Sequence, residues 1–531
     1  MKKKMALLLA GTLLAGVLSG CGNQNGSSAE ATVKSESKTE EAKDAAPKES
    51  DAEKSSEAKE EPLEWTGDTA HIVVTYLTLG TTPTDLLMVQ DALNERTVKE
   101  IGVEVELKPV SAYDAMSQFP TWIATGESID LMFPLLQELN SYVNQGLIDP
   151  LEDLIKENAP YIQQLTDEGY TFASNNTIDG HIWSILQVPK VSGNSGGFVI
   201  ADQYLEELEK AGISYDKEKQ YTMDEMTQIF EVIKENHPNM YPCGLVSTTL
   251  SDTQFRYYDG IFDALGSNSY SGVVMGTDST QVVNLFATEE YKAYLDQLRE
   301  WYLAGYIHPD AATTDTNLDS QVASGVSCGY FMSSAPTLAN EGTSLIRTTE
   351  IYQASQGAGG WVVPMTAKEP EAAIRFLNLM YQDESIANLI QWGIEGVHYT
   401  VLDADKNLIG FPEGVNADNS GYYNTLGLYG DLRKVYVWTE TNVQSENDAY
   451  TEKAIKNPTK GVGMLYNPSD VSTSKITALA AAAAQYLPAL ESGSVDVDTY
   501  YQEFLDALEA AGIEDVIAEK QEQLDAFLTS K

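Results

Sequence analysis

The succession of strands and helices between residues 71 and 133 restricts the fold of this chain more than any other feature. A β-branched run predicts a buried strand, apolar positions at helical spacing follow it, and the two patterns then repeat before a last strand. A β-α-β-α-β order of this kind predicts a parallel sheet with right-handed crossovers. The predicted elements cover 71–77, 85–101, 103–107, 113–125 and 129–133.

The carboxyl ends of these strands give the first expectation about a ligand site. In open α/β sheets, ligands bind beyond the carboxyl ends of the strands. The first strand is followed by a polar loop at 78–84, and the third by the region of Pro134. We therefore expect a ligand at this edge of the sheet.

The rest of the chain predicts a second α/β unit and a helical end. Strand and helix patterns alternate again between Gly180 and Phe331, with Thr222 as the predicted N-cap of one helix. Because the chain is much longer than one compact domain, two lobes are predicted. Three further helices are predicted at 473–490, 497–511 and 513–528.

The N-terminus predicts an export signal and a lipid anchor. Three lysines precede an apolar run that is shorter than the ~20 residues of a membrane-spanning helix but suits a signal peptide. The run ends in Leu-Ser-Gly-Cys21, which resembles the lipobox of bacterial lipoproteins and implies acylation of Cys21. Residues 1–20 are thus predicted to be the signal peptide, and 21–66, which lack an aromatic residue before Trp65, a disordered tether.

Charge and cysteine content narrow the possible partners. A formal net charge of −46 opposes binding to nucleic acid and to anionic lipid, although most of the charged side chains are expected to form a solvated surface.

Apart from Cys21, the chain contains only Cys243 and Cys328. Two cysteines do not make a disulfide framework, and both one bridge and two free thiols fit an exported protein.

No sequence pattern predicts a catalytic or metal site. The motif G-x-S-x-G occurs at 193–197 and 325–329, but a strand-like run follows each serine where a nucleophile elbow needs a helix. The five histidines lack ligand spacing, and 403–407 lacks the glycine and glutamate of a calcium loop. We predict a hairpin turn at 403–407, and neither a metal nor a cofactor. A carboxylate pair without a visible motif stays open as an alternative.

Six segments of the chain match one known family. The turn at 391–399 has the sequence Gln-Trp-Gly-Ile-Glu-Gly-Val-His-Tyr, and the other segments lie at 122–132, 142–151, 179–183, 368–380 and 510–525. Together they resemble the large extracellular solute-binding lipoproteins of carbohydrate ABC transporters, in the subgroup with a distinctive C-terminal helical region. His181 and the segment 461–465 depart from the family pattern, which leaves the ligand's identity open.

The resemblance implies a periplasmic-binding-protein-like fold in which two α/β lobes are joined by crossing strands and the ligand lies in the cleft between them. By analogy the chain crosses near 186–190, near 357–364 and near 436–440. Contacts to both lobes let a ligand favour the closed form. The predicted N-terminal lobe is 67–188 plus 357–438, and the predicted C-terminal lobe is 189–356 plus 439–531.

Flat aromatic faces and planar polar groups are the expected means of holding a sugar. Among seven tryptophans, four lie near predicted strand ends or crossings, and each is either a sugar platform or a core residue: Trp183, Trp361, Trp392 and Trp438. Trp392 ranks first because it stands in the family-like turn beside Glu395 and His398.

Three polar residues complete the candidate site. Glu395 either contacts ligand or fixes its turn by local hydrogen bonds. Asp130 either accepts hydroxyl hydrogens or caps a neighbouring helix. Arg256 either donates a fork of hydrogen bonds in the cleft or forms a surface ion pair.

The functional expectation is a non-catalytic, lipid-anchored monomer on the outer face of the bacterial cytoplasmic membrane. It would capture an oligosaccharide and deliver it to the permease subunits of an ABC importer. One alternative keeps the fold and binds a peptide or another solute. Others are a surface glycoside hydrolase and a purely adhesive surface protein.

Overall fold

The computed structural model describes residues 64–530, with gaps at 136–138, 171–175, 246–252, 268–269, 337–341, 357–358, 425 and 439–443. The chain divides into two units between Thr66 and Gly67, and the second of them, Gly67–Lys531, is compact. The predicted signal peptide, Cys21 and residues 21–63 of the predicted tether lie outside the described residues. The second unit contains the helices and strands of the fold.

A parallel pair of strands opens the second unit, as the sequence predicts. Its two strands pair along their whole length, from Ala70 opposite Val103 to Thr78 opposite Ser111. The elements of this region are β1 (Ala70–Thr78), α1 (Leu86–Ile101), β2 (Val103–Ser111) and α2 (Ala112–Ala124).

The ends of these elements follow from single residues. Gly102 ends α1 in the left-handed conformation, with a φ of 64° that a glycine adopts without a steric cost. The third predicted strand is reduced to single-residue bridges, a parallel one from Leu131 to Val74 and an antiparallel one from Met132 to Val362.

Short elements continue the first lobe towards the crossing. His181 and Ile182 pair with Thr177 and Ile178 in a small antiparallel hairpin. The elements are α3 (Leu139–Asn144), α4 (Glu152–Asn158), α5 (Pro160–Asp167), β3 (Thr177–Ile178) and β4 (His181–Ile182).

The second α/β region is built on a mixed sheet. Its strands lie in the order β11 (Thr343–Arg347), β5 (Gly196–Ala201), β10 (Gly329–Ser333) and β6 (Cys243–Gly244). Strand β5 is antiparallel to both of its neighbours, whereas β10 and β6 are parallel. Thr222 caps helix α7 (Met223–Asn236) in a capping box with Glu225, as the sequence predicts. The elements are β5 (Gly196–Ala201), α6 (Leu205–Lys210), α7 (Met223–Asn236), β6 (Cys243–Gly244), α8 (Phe255–Tyr258), β7 (Phe262–Asp263), β8 (Val273–Met275), β9 (Val282–Val283), α9 (Glu289–Leu303), α10 (Leu318–Ala323), β10 (Gly329–Ser333) and β11 (Thr343–Arg347).

The chain then returns to the first lobe and forms two helices and the predicted hairpin. Asp403 accepts hydrogen bonds from the backbone N–H groups of Asp405 and Lys406, which holds the turn that the sequence predicts at this place. The elements are α11 (Pro370–Gln382), α12 (Glu384–Trp392), β12 (Thr400–Asp403) and β13 (Leu408–Gly410).

Four helices end the chain, and the last three occupy the positions that the sequence predicts. Gly512, with a φ of 89°, separates the final two. Within the described part of the chain, none of the helices combines the length and the apolar character needed to cross a bilayer. The helices are α13 (Gln444–Ile455), α14 (Asp470–Leu490), α15 (Val497–Ala511) and α16 (Ile513–Ser530).

The buried apolar side chains of the second unit form two cores. The first is drawn from 72–188 and 361–435 and also contains Leu465. The second is drawn from 198–346 and 464–524. Two lobes require two cores because each lobe must bury its own apolar surface. The residue boundaries between the lobes stay a prediction.

Paired segments connect the two cores. Ile185 lies opposite Trp361, and Asn194 lies opposite Tyr352, in antiparallel bridges of the same register. Two adjacent connecting segments that run side by side suit a hinge, since they bend together. The third predicted crossing falls partly on 439–443, outside the described residues.

One lysine of α16 is fully buried, and its titration gives a pH dependence that can be tested. Lys520 is 0% exposed, and burial lowers the pKa of its ammonium from 10.5 to about 7 against the opposing attraction of Asp263. Above that pKa the unfolded chain binds more protons at this site than the folded chain, up to the ordinary lysine pKa of about 10.4. Its contribution to the free energy of unfolding therefore rises with pH in this window, by about 1.4 kcal/mol per pH unit at most.

The variant Lys520→Met keeps the side-chain length, removes the charge and is expected to abolish this rise. Urea denaturation of both proteins at about pH 6.5, 8 and 9.5 measures it as the difference between them, so that other titrating groups cancel. A difference that stays constant over this range would contradict the lowered pKa.

Candidate ligand-binding site

Aromatic side chains are gathered around Trp438. Its ring centroid lies 4.3 Å from that of Phe411, 5.5 Å from that of Tyr423 and 5.7 Å from that of Trp392. We call these four residues the Trp438 group. Phe411, Tyr423 and Trp438 are all partly exposed, whereas Trp392 is buried. Partly exposed rings can stack on the apolar faces of a ligand.

Hydrogen bonds place this group at the carboxyl end of β1. The amide of Asn424, next to Tyr423, donates to the Leu77 carbonyl over 3.2 Å. The backbone N–H of Asp85 donates to the Gly421 carbonyl over 3.0 Å. The segment that carries Tyr423 is thus fixed to the end of β1 and to the start of α1, at the sheet edge where the sequence predicts a ligand.

The family-like turn is held in place by His398. The N–H of Ile394 donates to Nδ1 of His398 over 2.8 Å, so Nε2 carries the hydrogen of the neutral ring and faces Oδ2 of Asp85 at 3.3 Å. A Cβ on Gly393 would lie 2.5 Å from Nδ1 of His398. The turn after α12 is therefore tied to the same sheet edge, and its glycine leaves room for the imidazole.

The indole N–H groups distinguish the four predicted tryptophans. Trp183 donates to the Ile178 carbonyl, Trp361 to the Leu428 carbonyl and Trp392 to the Tyr436 carbonyl, over 3.0–3.1 Å. The indole of Trp438 makes no hydrogen bond within the part of the chain that the structure describes. The indole N–H groups of three tryptophans thus donate to backbone carbonyls, whereas that of Trp438 does not donate to any described residue.

Two of the predicted tryptophans lie apart from the Trp438 group. Trp361 is 1% exposed, and its ring lies edge-on to that of Phe133 at 5.2 Å in the first core. Trp183 is partly buried and lies edge-on to His181 at 6.0 Å. Their roles as sugar platforms stay predictions.

Asp130 lies in a structural position. It is 2% exposed, and its carboxylate accepts the N–H of Val73 at 2.8 Å, of Lys368 at 2.7 Å and of Glu369 at 2.9 Å. Because Lys368 and Glu369 precede α11, the carboxylate satisfies free N–H groups at that helix start and ties it to β1. Of the two predicted roles, helix capping is the one whose contacts are present.

Glu395 is exposed at the tip of the family-like turn. The turn itself is closed by the backbone, since the N–H of Gly396 donates to the Tyr399 carbonyl over 2.7 Å. A ligand role for the Glu395 carboxylate stays a prediction.

Arg256 stands in a second aromatic group, in the region of the second core. Its guanidinium carbon lies 4.6 Å from the ring centroid of Tyr257 and 5.6 Å from that of Tyr270, and Nη1 donates to the Tyr270 hydroxyl. We call these three residues the Arg256 group. All three are partly exposed, which suits a planar donor held between rings.

The Arg256 group packs against the first residue of β5 and the residue after β11. The Tyr257 carbonyl accepts a hydrogen bond from the hydroxyl of Thr348 over 3.2 Å. A Cβ on Gly196 would lie 2.6 Å from the Tyr257 oxygen, so only glycine allows this approach. An open pocket of about 350 Å³ adjoins the group, lined by Gln220, Tyr221, Thr222, Met223, Asp224, Asp259 and Thr348.

The profile of a known protein family matches this chain. The profile of the bacterial extracellular solute-binding proteins matches residues 91–405, more than half of the chain. The chain belongs to this family. A second profile, of a domain of unknown function (DUF3502), matches residues 461–529, which include α14, α15 and α16.

Known relatives share the fold of this solute-binding protein. A carbohydrate ABC transporter substrate-binding protein of Streptococcus pneumoniae serotype 4 is 23% identical over 470 residues, which cover 86% of this chain and 91% of the relative. The crystal structure of the N-glycan transport solute binding protein (NgtS) from Streptococcus pneumoniae has a TM-score of 0.67 at 22% identity, covering 86% and 99% of the two chains. An extracellular solute-binding protein from Bifidobacterium longum subsp. infantis has a TM-score of 0.64 at 14% identity, covering 87% and 99%. The predicted two-lobe α/β fold is confirmed.

Sequence reasoning missed the partners of Trp438 and Arg256 in this solute-binding protein. Phe411 and Tyr423 complete the Trp438 group, and Tyr257 and Tyr270 complete the Arg256 group. Only Tyr257, as the neighbour of Arg256, had a signal in the sequence. Twenty-nine tyrosines are too many for composition to select among.

The serine motifs have the local structure that the sequence predicts. Ser195 directly precedes β5 and Ser327 precedes β10, so a strand follows each one. The hydroxyl of Ser195 bonds to those of Ser334 and Tyr450, both at 2.6 Å. Among the described residues, no cluster of three His, Cys, Asp or Glu side chains could hold a metal ion.

The two cysteines are buried free thiols. Of the two arrangements that the sequence left open, the structure has the unpaired one. Burial raises the pKa of the Cys243 thiol from 9.0 to about 12 and raises that of Cys328 as well. Both stay protonated at neutral pH, which makes them unreactive.

Proposed function

We propose that this solute-binding protein captures an oligosaccharide outside the cell and delivers it to an ABC importer. The observation that carries the proposal is the Trp438 group, four rings at the carboxyl end of β1 of which three are partly exposed. Ligands of α/β sheets bind at that edge, and aromatic faces stack on the C–H faces of sugars. Two relatives whose names specify carbohydrate transport and N-glycan transport support the ligand class.

Each aromatic group has its own part in recognition. The rings of Phe411, Tyr423 and Trp438 provide stacking faces, and the guanidinium of Arg256 with the hydroxyls of Tyr257 and Tyr270 provides hydrogen bonds to sugar hydroxyls. Trp392 supports Trp438 from the buried side. Among the residues predicted from sequence, Trp438 and Arg256 therefore have the strongest support as ligand contacts.

Capture is a binding event without chemistry. The ligand meets the first lobe at the Trp438 group and the second at the Arg256 group, and contact with both favours the closed arrangement. The ligand leaves chemically unchanged, so the protein is not an enzyme. No cofactor or metal takes part.

The proposal includes a lipid anchor and an importer. Acylation of Cys21 tethers the protein to the outer face of the cytoplasmic membrane, because two or more acyl chains bury enough methylene groups for stable attachment. The segment 21–66 is a spacer that separates the lobes from the membrane. The protein acts as a monomer that passes the ligand to the permease subunits. Extracellular placement is the shared property of the family.

A thermal-shift screen tests the ligand class. The purified chain without its signal peptide is heated with oligosaccharides of two to about six units, with matching monosaccharides and with short peptides. A ligand at 100 times its Kd stabilises the folded state by about 2.7 kcal/mol, so a cognate oligosaccharide is expected to raise the midpoint clearly. Chromatography of the mixtures afterwards shows whether the sugar is intact.

The outcomes separate the alternatives. A shift with peptides and none with sugars would replace the oligosaccharide by a peptide. Cleaved sugar that scales with protein concentration would make the protein a glycoside hydrolase. Stoichiometric stabilisation without products is the expected result.

A further inference from the structure

Two ionisable side chains of the C-terminal helical region are buried in the second core. Glu491, directly after α14, is 3% exposed, and Lys520 on α16 is 0% exposed. Burying a charge is costly unless its partners compensate it. The groups that these two side chains contact therefore indicate their role.

Glu491 holds the start of the segment that carries Arg256. One carboxylate oxygen accepts the Thr253 hydroxyl and the Tyr291 hydroxyl, the latter at 2.8 Å, and the other accepts the N–H of Gln254 at 2.9 Å. A carboxylate at a helix C-terminus is disfavoured by the helix dipole, so helix stability does not explain its presence. The hydrogen bonds to Thr253 and Gln254 do.

Lys520 holds the other end of the same segment. Its amino group donates to the Gly272 carbonyl over 2.7 Å and to the Ala264 carbonyl over 3.3 Å, and it lies 5.0 Å from the ring centroid of Tyr466. Both acceptors are backbone groups, so the contact depends on the path of the chain and not on which side chains it carries.

Between these two contacts lie Arg256, Tyr257 and Tyr270. The segment 253–272, which the structure describes at 253–267 and 270–272, also meets the connecting segments. There the N–H of Phe262 donates to the Tyr352 hydroxyl over 3.4 Å and the Ser355 hydroxyl donates to Asp263 over 3.1 Å. It thus contacts both the C-terminal helical region and the connecting segments, and it carries the Arg256 group.

We propose that the C-terminal helical region positions the ligand-binding wall of the second lobe, with Glu491 and Lys520 fixing the two ends of the segment 253–272. This assigns a role to the stretch matched by the domain of unknown function, and it rests on the proposed function in taking Arg256 as a ligand contact. A segment that is already ordered loses less conformational entropy when ligand binds, which raises affinity without adding a contact.

The variant Glu491→Gln tests the proposal. A carboxamide keeps the shape but has one acceptor oxygen, and its NH₂ must face a hydroxyl or the N–H of Gln254. Loss of about one hydrogen bond between residue 491 and the start of the segment is expected to weaken oligosaccharide binding about tenfold. Amide hydrogen exchange at Gln254 is expected to become faster, a readout that does not depend on ligand.

A matched control separates positioning from general destabilisation. Leu508 on α15 is 0% exposed and belongs to the same helical region and core, so Leu508→Ala lowers stability without removing a hydrogen bond to 253–272. The control is expected to keep wild-type affinity and wild-type exchange at Gln254. If Glu491→Gln does not fold, Thr253→Val removes the same hydrogen bond from the other partner.

Each remaining outcome decides one question. Unchanged exchange at Gln254 together with unchanged affinity in Glu491→Gln overturns the positioning role. An equal loss of affinity in Leu508→Ala overturns it as well, because destabilisation would then suffice. If the wild-type protein binds no oligosaccharide, the proposed function fails, and the exchange result alone decides whether the helices fix the segment.

Discussion

Replacing Trp438 with alanine is expected to weaken oligosaccharide binding by roughly 30-fold, about 2 kcal/mol, the size of a binding hot spot. Trp438 is partly exposed at the centre of its group, within 5.7 Å of three other aromatic rings. Its removal takes away the largest stacking face and leaves Phe411 and Tyr423, whose ring centroids lie 5.7 Å apart, without the ring that packs on both of them. Isothermal titration calorimetry with the oligosaccharide found in the screen measures the loss.

Trp361→Phe is the matched control for this prediction. Trp361 is 1% exposed and its indole donates to the Leu428 carbonyl, so this change is expected to cost stability and to leave the affinity of the folded protein unchanged. Trp438→Phe keeps a flat face and is expected to retain most of the binding. If Trp361→Phe weakened binding more than Trp438→Ala, the ligand would contact Trp361 and the Trp438 group would lose its role.

Replacing Asp130 with alanine is expected to lower the free energy of unfolding by about 3 kcal/mol, because three backbone N–H groups lose their acceptor. Two of them belong to Lys368 and Glu369 at the start of α11, and the third belongs to Val73 in β1. The carboxylate is 2% exposed, which limits the water that can replace it. Urea denaturation followed by circular dichroism measures the change.

Asp130→Asn serves as the comparison, since one carbonyl oxygen can still accept hydrogen bonds while the NH₂ meets a donor. It is expected to lie between the wild-type protein and Asp130→Ala in stability. Both variants are expected to bind oligosaccharide with the wild-type affinity at temperatures where they are folded. Wild-type stability with lost binding would show instead that Asp130 accepts ligand hydroxyls.

Local periodicity accounts for the elements that sequence reasoning placed well. The run 71–77 became β1, Gly102 ended α1, and Thr222 capped α7, because each depends on residues within a few positions of one another. The third strand was overestimated for the opposite reason. Its apolar run at 129–133 is buried, but its length depends on a partner more than 200 residues away, Val362.

The candidate site was predicted as residue types and not as a constellation. The sequence ranked Trp392 first among four tryptophans, and only the structure shows that its indole and two others bond to the backbone while that of Trp438 does not bond to any described residue. The sequence left two roles for Asp130, ligand contact and helix cap, and the N–H groups that surround its carboxylate are seen only in the structure. Burial of a side chain depends on every segment that packs around it, and such information is absent from a single stretch of sequence.

What the sequence by itself determined is the α/β class, the order of the elements and the three final helices, since each follows from spacing along the chain. Only the tertiary structure decided which rings meet Trp438 and that Glu491 reaches Thr253, 238 residues away. The physical reason is that hydrophobic periodicity is a local property, whereas contacts between distant segments arise from the packing of two cores as a whole.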